Sequence, residues 1–445
     1  MATINEIRYS QLENRFDSEY YHPLKLNYLR ELGKLPQAEE ISNNFISIRD
    51  IFNPNSFQEK EKLVKVVRLE DIANFSLSNF QVCKAWEVGS QKKKIKQGDI
   101  LISRLRSYLK EVTFVTNFNE GINLCSTEFI VLRSKQYSKI LPPFLFTFLL
   151  TKQAQTILRW SQEGSNHPRF PERELLSIKI PLPPQHFQLK IEKLVKEGFL
   201  KRSFADEKYE QAKQLLEKEL GLDELKLKEE KTFETKFLEI NEVMRFDSEY
   251  YQPKYTKGKL RLAELSNNYD IVELKKIANL TTGKQLETFK ELTGGVPFYS
   301  IKDIEKSTFS KADIRYIRKE DHEKMKNSEL KTNNILLAVT GATIGKTGIF
   351  LENEGNISGD LARIRIKDDF EGEVDPFYVL IYLESLFGQL QINREIYGAT
   401  NKHLSLKSVE KILIPIIPKQ KQEEISKLIK ESFSLRKEFR ALLDK

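Results

Sequence analysis

The sequence predicts an α+β protein, mixed in strand and helix, made of one unit used twice. Three observations carry that expectation. Arg15-Phe-Asp-Ser-Glu-Tyr-Tyr-His-Pro23 recurs as Arg245-Phe-Asp-Ser-Glu-Tyr-Tyr-Gln-Pro253, eight identities in nine at an offset of 230. Shorter matches follow in the same order while the offset drifts: Asp71-Ile72 with Asp303-Ile304, Pro143-Phe144 with Pro376-Phe377, and Ile180-Pro181 with Ile414-Pro415. Each copy then closes on a long charged stretch with helical periodicity. A chain of 445 residues has room for two such domains, and 40% apolar residues with 28 Phe are enough to build their cores.

Within each copy the elements come in a fixed order. A lead-in precedes a body of mixed strand and helix signals. Inside it, Leu141–Leu150 is an apolar run of ten residues containing Pro142 and Pro143. That is too short for the ~20 residues that span a bilayer, so it reads as a buried segment. Proline-bounded strands, Ser177–Pro184 and Ser408–Pro418, end the two bodies, because Pro neither continues a ladder nor enters a helix interior. From Gln185 to Leu220, apolar residues at Ile191, Leu194, Val195, Phe199, Ala205, Ala212, Leu215 and Leu216 mark one helix face; Ile425, Leu428, Ile429, Phe433, Phe439, Leu442 and Leu443 mark its counterpart. So narrow a stripe needs a partner helix, and the other copy offers one. Two independent surface helices are the alternative. The expected division is 1–184, a first long helix with linker at 185–230, 231–418, and a second long helix at 419–445. The second copy stops short of the first one's helical tail, so the start of the chain is expected to complete what its end lacks, with both termini near one helical seam.

The same residues weigh against several functions. Two cysteines, Cys83 and Cys125, exclude a disulfide framework or a Cys-rich zinc site, as in a reduced cytosol. The N-terminus lacks the apolar core of a signal peptide, and a cytoplasmic protein is expected. The five histidines are scattered without metal spacing, and no Asn/Asp-Pro-Pro-Tyr/Phe methylation tetrapeptide or Gly-rich cofactor loop occurs. Gly341-Ala-Thr-Ile-Gly-Lys-Thr347 comes near a phosphate loop, but has three residues before its Gly-Lys pair where four are needed. A strand-like run follows it, so a Gly-rich turn between strands is the better reading.

Charge is unevenly spread. Residues 1–90 sum to −2, residues 91–180 to +8 and residues 181–230 to −1, within a net +8 for the chain. Arg104 and Arg106 follow the strand-like Asp99-Ile-Leu-Ile-Ser, one residue apart, so both would project from one face. Arginine supplies the planar fork suited to guanine edges and phosphates. A merely solvated basic surface is the competing interpretation. Copy two is thinner in basic points: Arg315, Arg318, Lys319, Lys346, Arg363, Arg365 and Lys402. In the duplicated opening, Phe16 with Tyr20 and Phe246 with Tyr250 have helical spacing, which suggests a packing staple at a domain start.

The duplicated Arg-Phe-Asp-Ser-Glu-Tyr-Tyr openings and the paired Ile-Pro-Leu-Pro-Pro and Ile-Pro-Ile-Ile-Pro closings lead into long helices. With Asp99-Ile-Leu-Ile-Ser-Arg-Leu-Arg-Ser-Tyr-Leu-Lys110, Cys125-Ser-Thr-Glu-Phe129 and Gly341-Ala-Thr-Ile-Gly-Lys346, the chain resembles the specificity subunit of type I restriction–modification systems over nearly its whole length. The resemblance implies two target recognition domains joined by two long antiparallel helices with pseudo-two-fold symmetry. It implies a non-catalytic subunit that reads an asymmetric, bipartite double-stranded DNA target and docks two methyltransferase subunits, with motor-nuclease subunits joining them. S-adenosylmethionine, ATP and magnesium would belong to those partners. Arg104, Arg106, Lys110, Thr343 and Lys346 are expected at or near DNA, and Lys92, Lys93 and Lys94 as phosphate contacts or solvated. Ile191, Leu194, Phe199, Ile425, Leu428 and Phe433 are expected on the partner-binding helices. A scaffold that binds the methyltransferase without sequence preference, and a nucleotide-using enzyme centred on Gly341–Thr347, are the competing hypotheses.

Overall fold

The computed structural model describes residues 7, 12–13, 15–73, 75–77, 80–105, 111–116, 121–222, 227, 230–285, 294–305, 307–309, 314–399 and 401–443. The chain divides into two compact units, Met1–Ser203 with Arg436–Lys445, and Phe204–Leu435. Among the described residues, no helix is long and apolar enough to cross a membrane.

In the first unit a four-stranded antiparallel sheet runs in the order Val112–Phe114, Ile100–Ser103, Phe129–Ser134, Phe45–Ser47. A five-stranded sheet lies in the same unit, with Ile122–Ser126 parallel to Leu63–Val67 and antiparallel to Lys92–Lys94. All four residues of Ile100–Ser103 are buried, which is why this stretch reads as an unbroken apolar run. The second unit repeats the first sheet: Thr347–Ile349, Ile335–Ala338, Leu361–Ile366, Ala278–Thr282. Numbered along each copy, both sheets have the order third, second, fourth, first. The duplication therefore extends to topology where side-chain identity has faded.

Several sequence matches acquire a physical cause. Pro142 and Pro376 open nine-residue helices, Pro142–Leu150 and Pro376–Glu384, at the first-turn position where a missing N–H costs nothing. The Gln188 side-chain carbonyl accepts from the Leu141 N–H at 2.8 Å while its amide donates to the Lys139 carbonyl at 3.0 Å. Gln422 does the same with the Asp375 N–H (2.9 Å) and the Glu373 carbonyl (3.1 Å). The closing strands are short, Lys179–Ile180 on Glu39–Glu40 and Leu413–Ile416 on Asp270–Glu273.

The long helices are Gln185–Glu219 and Lys419–Leu443. In the first unit, Gly198 faces Phe439, and Lys201 pairs with Glu438 at 2.6 Å. In the second, the Ser432 hydroxyl donates to the Ala205 carbonyl at 2.6 Å, and Lys208 pairs with Glu431 at 2.8 Å. Rising numbers on one helix meet falling numbers on the other within each unit, so the pairing is antiparallel. This settles the paired reading over two independent surface helices. The residues expected on the partner-binding helices also contribute to the cores. Ile191 and Phe199 pack into the core of the first unit, and Ile425, Leu428 and Phe433 into that of the second, while Leu194 is half-buried. Much of their apolar surface is used inside the chain, while Phe187, Leu189, Leu200 and Phe204 of the first long helix are exposed. The start of the chain that was expected to join this seam lies mostly outside the described residues.

Candidate nucleic-acid interface

The loop after the second strand of each four-stranded sheet is held in the same way. In the first copy the Arg104 N–H donates to the Glu128 carbonyl (3.2 Å) and the Phe170 N–H to the Arg104 carbonyl (3.1 Å). In the second, the Val339 N–H donates to the Asp360 carbonyl and the Leu404 N–H to the Val339 carbonyl, both at 2.9 Å. Beyond them, Leu105 bridges to Arg169 and Thr340 to His403; Arg169 also bridges to Glu163 and His403 to Tyr397. The registers pair Val112 with Ile102 and Thr347 with Leu337, so the two intervening loops have equal length. Two recognition candidates that look unrelated in sequence thus depart from equivalent anchor residues.

Their side chains differ. In the first copy Glu128 accepts from both nitrogens of the Arg169 fork at 2.9 Å each, and Arg104 Nε reaches the same carboxylate at 3.3 Å. These hydrogen bonds, Arg169 foremost, hold the Glu128 carboxyl below its ordinary pKa. Glu128 thus braces two half-exposed guanidiniums and leaves the trio with one net positive charge. Arg106 and Lys110 lie outside the described residues.

In the second copy, Gly341–Lys346 forms the turn of a hairpin between Ile335–Ala338 and Thr347–Ile349, so no helix follows as a phosphate loop requires. Gly341 and Gly345 have φ of +80° and +92°, and a Cβ on Gly345 would lie 2.8 Å from Gln389 Oε1. Gln389 in turn donates to the Gly345 carbonyl at 3.0 Å. Thr343 and Lys346 are exposed along their side chains, but the Lys346 ammonium donates to the Ile304 carbonyl at 2.6 Å and its partial desolvation lowers its pKa. Thr340 Oγ1 donates to Asp360 Oδ1 at 2.9 Å, so Asp360 does for this loop what Glu128 does for the other.

The remaining basic residues fall into two groups. Lys92–Lys94 forms an internal strand of the five-stranded sheet. Lys93 donates to the Phe129 carbonyl at 2.6 Å, and Lys94 pairs with Asp50 at 3.0 Å. Lys92 donates to the Ser90 hydroxyl. Arg363, whose pKa burial lowers to about 10, donates to the Glu329 carbonyl at 2.8 Å, and Arg365 shares that acceptor at 2.9 Å. Those two are structural. Sequence reasoning did not single out Glu128, Asp360 or His403 as parts of the site; Glu128 stood only within the quoted Cys125–Phe129 stretch, and Arg169 only within the basic block of residues 91–180.

The duplicated opening positions the neighbouring hairpins. Arg15 is bidentate to Asp17 (2.9 and 2.6 Å) and donates to the carbonyls of Ser161 and Gln162, at the foot of the hairpin that ends in Arg169. Arg245 is bidentate to Asp247 at the same distances and donates to the Arg394 and Ile396 carbonyls, next to Tyr397. Each guanidinium also lies over a tyrosine ring, Tyr20 at 4.2 Å and Tyr250 at 4.4 Å. The expected aromatic staple is only half right. Tyr20 and Tyr250 are buried, whereas Phe16 is 86% and Phe246 79% exposed. Spacing of four implies proximity only on a helix, and the first-copy helix begins at Pro23.

Two domains whose four-stranded sheets share one topology, with unlike loops on equivalent backbone anchors, define an internally duplicated class of protein. The chain matches the family model "Type I restriction modification DNA specificity domain" at residues 43–197 and 266–438, and it belongs to that family. It is 26% identical to the type I restriction enzyme EcoBI specificity subunit of Escherichia coli over 144 residues, 32% of this chain and 30% of that protein. The matched segment thus spans under a third of that relative. Among solved structures it is similar to the HsdS subunit from Thermoanaerobacter tengcongensis, at 17% identity, TM-score 0.33, covering 93% of this chain and 97% of that one. It is also similar to the type I S subunit from M. genitalium, at 13% identity, TM-score 0.42, covering 92% and 93%.

Proposed function

We propose that this chain is a non-catalytic, sequence-specific subunit of a type I restriction–modification complex, reading an asymmetric bipartite double-stranded DNA target. The observation that carries the reading is the pair of equal-length loops fixed by the same backbone bonds but differently furnished. Equal anchors present each loop in the same attitude to its own half-site, and unlike side chains give unlike base preferences. In the first copy the readers are Arg104 and Arg106, with Lys110 beside them and Arg169 as neighbour. In the second they are Thr343 and Lys346. Lys92, Lys93 and Lys94 contribute at most positive potential, since all three ammonium groups are already engaged. Two methyltransferase subunits dock on the chain, motor-nuclease subunits complete the restriction complex, and S-adenosylmethionine, ATP and magnesium bind in those partners.

The test is Arg104→Ala with Arg106→Ala in the complex reconstituted with its cognate methyltransferase. Glu128 keeps its bidentate Arg169 bond in this variant, so folding is retained. Loss of a bidentate base contact costs about 1–3 kcal/mol of discrimination. The methylated sequence, read by single-molecule sequencing, should relax or change in one half only. An unchanged methylation site would overturn the assignment.

A further inference from the structure

Internal duplication offers a comparison within one chain. Val112 and Thr347 hold the same register in the third strand of each four-stranded sheet. Leu150 and Glu384 end the two proline-opened helices. Phe75 and Ser307 stand at the turns of two short hairpins, Ile72–Ala73 with Ser76–Leu77 and Ile304–Glu305 with Thr308–Phe309, at φ of +63° and +67°. Leu443 in the first unit and Tyr209 in the second are related by the offset of 234 that joins Phe433 to Phe199. In the first unit all four residues are apolar and lie in or against one core. In the second all four are polar and bonded to one another. The Thr347 and Ser307 hydroxyls donate to Glu384 Oε1 at 2.8 and 2.5 Å, and the Tyr209 hydroxyl donates to Oε2 while meeting that of Ser307. Tyr209, Ser307 and Thr347 are buried.

A fold that packs with hydrocarbon at all four places does not need this network for stability, since exchanging a complete bonded set for apolar groups is close to neutral. What the network adds is direction: hydrogen bonds fix angle and distance, whereas apolar contact is non-directional. That direction is delivered to Lys346. Thr347 ties the backbone beside Lys346 to Glu384, and Ser307 ties in the hairpin whose Ile304 carbonyl accepts from the Lys346 ammonium at 2.6 Å. A cavity of about 250 Å³, lined by Ser307, Gly345, Lys346, Thr347, Glu384 and Gln389, lies beside the turn, so close packing does not set its place there. We propose that Glu384 is a positioning residue for base reading by the second copy, acting through Thr347 and Ser307 on Lys346. This rests on the function proposed above and adds a reason why the two half-sites are read differently. The matching loop of the first copy takes its brace from Glu128 instead.

The experiment puts the first copy's own residues into the second, Glu384→Leu and Thr347→Val, in the full chain reconstituted with its cognate methyltransferase. Methylation of oligonucleotides altered in one half-site or the other reads discrimination, and thermal unfolding reads the fold. Each variant is expected to lose at least about fivefold in discrimination at the second half-site, the lower end of what one base contact supplies, with the first half-site unchanged. Glu384→Gln keeps an acceptor and Thr347→Ser keeps the donor, so both should discriminate as wild type does. Should Glu384→Leu fail to fold, Thr347→Val decides alone, because it leaves Glu384 bonded to Ser307 and Tyr209. Folded variants with wild-type discrimination in the second half overturn this proposal and leave the DNA-reading function standing. Equal losses in both halves overturn it too, since they mark a defect of assembly and not of one loop. A wild-type complex without sequence preference overturns the proposed function, and this inference falls with it.

Discussion

At the scale of single residues, buried charge does more in this chain than its mild net +8 suggests. Lys25 is almost fully buried, with its ammonium 3.2 Å from the centre of the Tyr20 ring and 3.5 Å from Glu174. Desolvation outweighs the carboxylate and lowers its pKa from 10.5 to about 8. Between those two values the unfolded chain holds a proton that the folded one has released, so stability rises with pH across that window. The cost of the buried charge is present in full below about 8. Lys25→Met removes this dependence: its stability relative to wild type, from urea unfolding, should be highest near neutrality and fall as pH climbs toward 10.5. One pKa unit corresponds to about 1.4 kcal/mol, which sets the scale of the change at about 1–3 kcal/mol. Parallel curves would show that Lys25 is not desolvated. None of this was legible in the sequence, where Lys25 is one of 72 basic residues. Arg104 was legible, because it follows a strand; its brace was not. Glu128 and Asp360 are different residue types at an offset of 232, while the loops they hold are offset by 235. Only the strand registers reveal them as equivalent.

At the scale of elements, what could be read was whatever periodicity or proline controls. The first long helix was expected at Gln185–Leu220 and runs Gln185–Glu219. The turn at Gly341–Lys346 was readable because glycine at positive φ between two apolar runs has few other meanings. The destination of an apolar stripe was less readable, since a helix face that suits a second chain equally suits its own core. Phe439 makes the point: it is fully buried, its ring lies 5.7 Å from that of Phe199, and Gly198 leaves room for it, with a Cβ there coming within 3.2 Å of Phe439 Cδ2. Phe439→Ala should therefore cost about 3–5 kcal/mol of unfolding free energy. Phe439 lies near the end of the chain, and in a frayed terminus the same change would cost under about 0.5 kcal/mol. Chemical denaturation separates the two outcomes. A large cost establishes the closing segment, Arg436–Lys445, as a working part of the first unit.

At the scale of the whole molecule, one framework carries two different loops, and the proposed function rests on that difference. The strands on either side, Ile100–Ser103 with Val112–Phe114 and Ile335–Ala338 with Thr347–Ile349, are in the same register, so the loops can be exchanged without altering the sheets. Replacing residues 105–111 by the sequence of 340–346 keeps the length and both strand ends. The graft removes Arg106 and Lys110 and brings in the glycines that fit a tight turn. It also gives Glu128 a threonine hydroxyl at position 105 to accept from, as Asp360 accepts from Thr340. If base preference resides in this loop, the first half-site of the methylated sequence should shift toward the second, making an asymmetric target more nearly symmetric. The second half-site should not change. Sequencing methylated DNA from cells carrying the graft reads both halves at once, so the unaltered half serves as the control for assembly. A first half-site that stays as it was would move base reading from this loop to the adjoining hairpin, where Arg169 stands in one copy and His403 in the other.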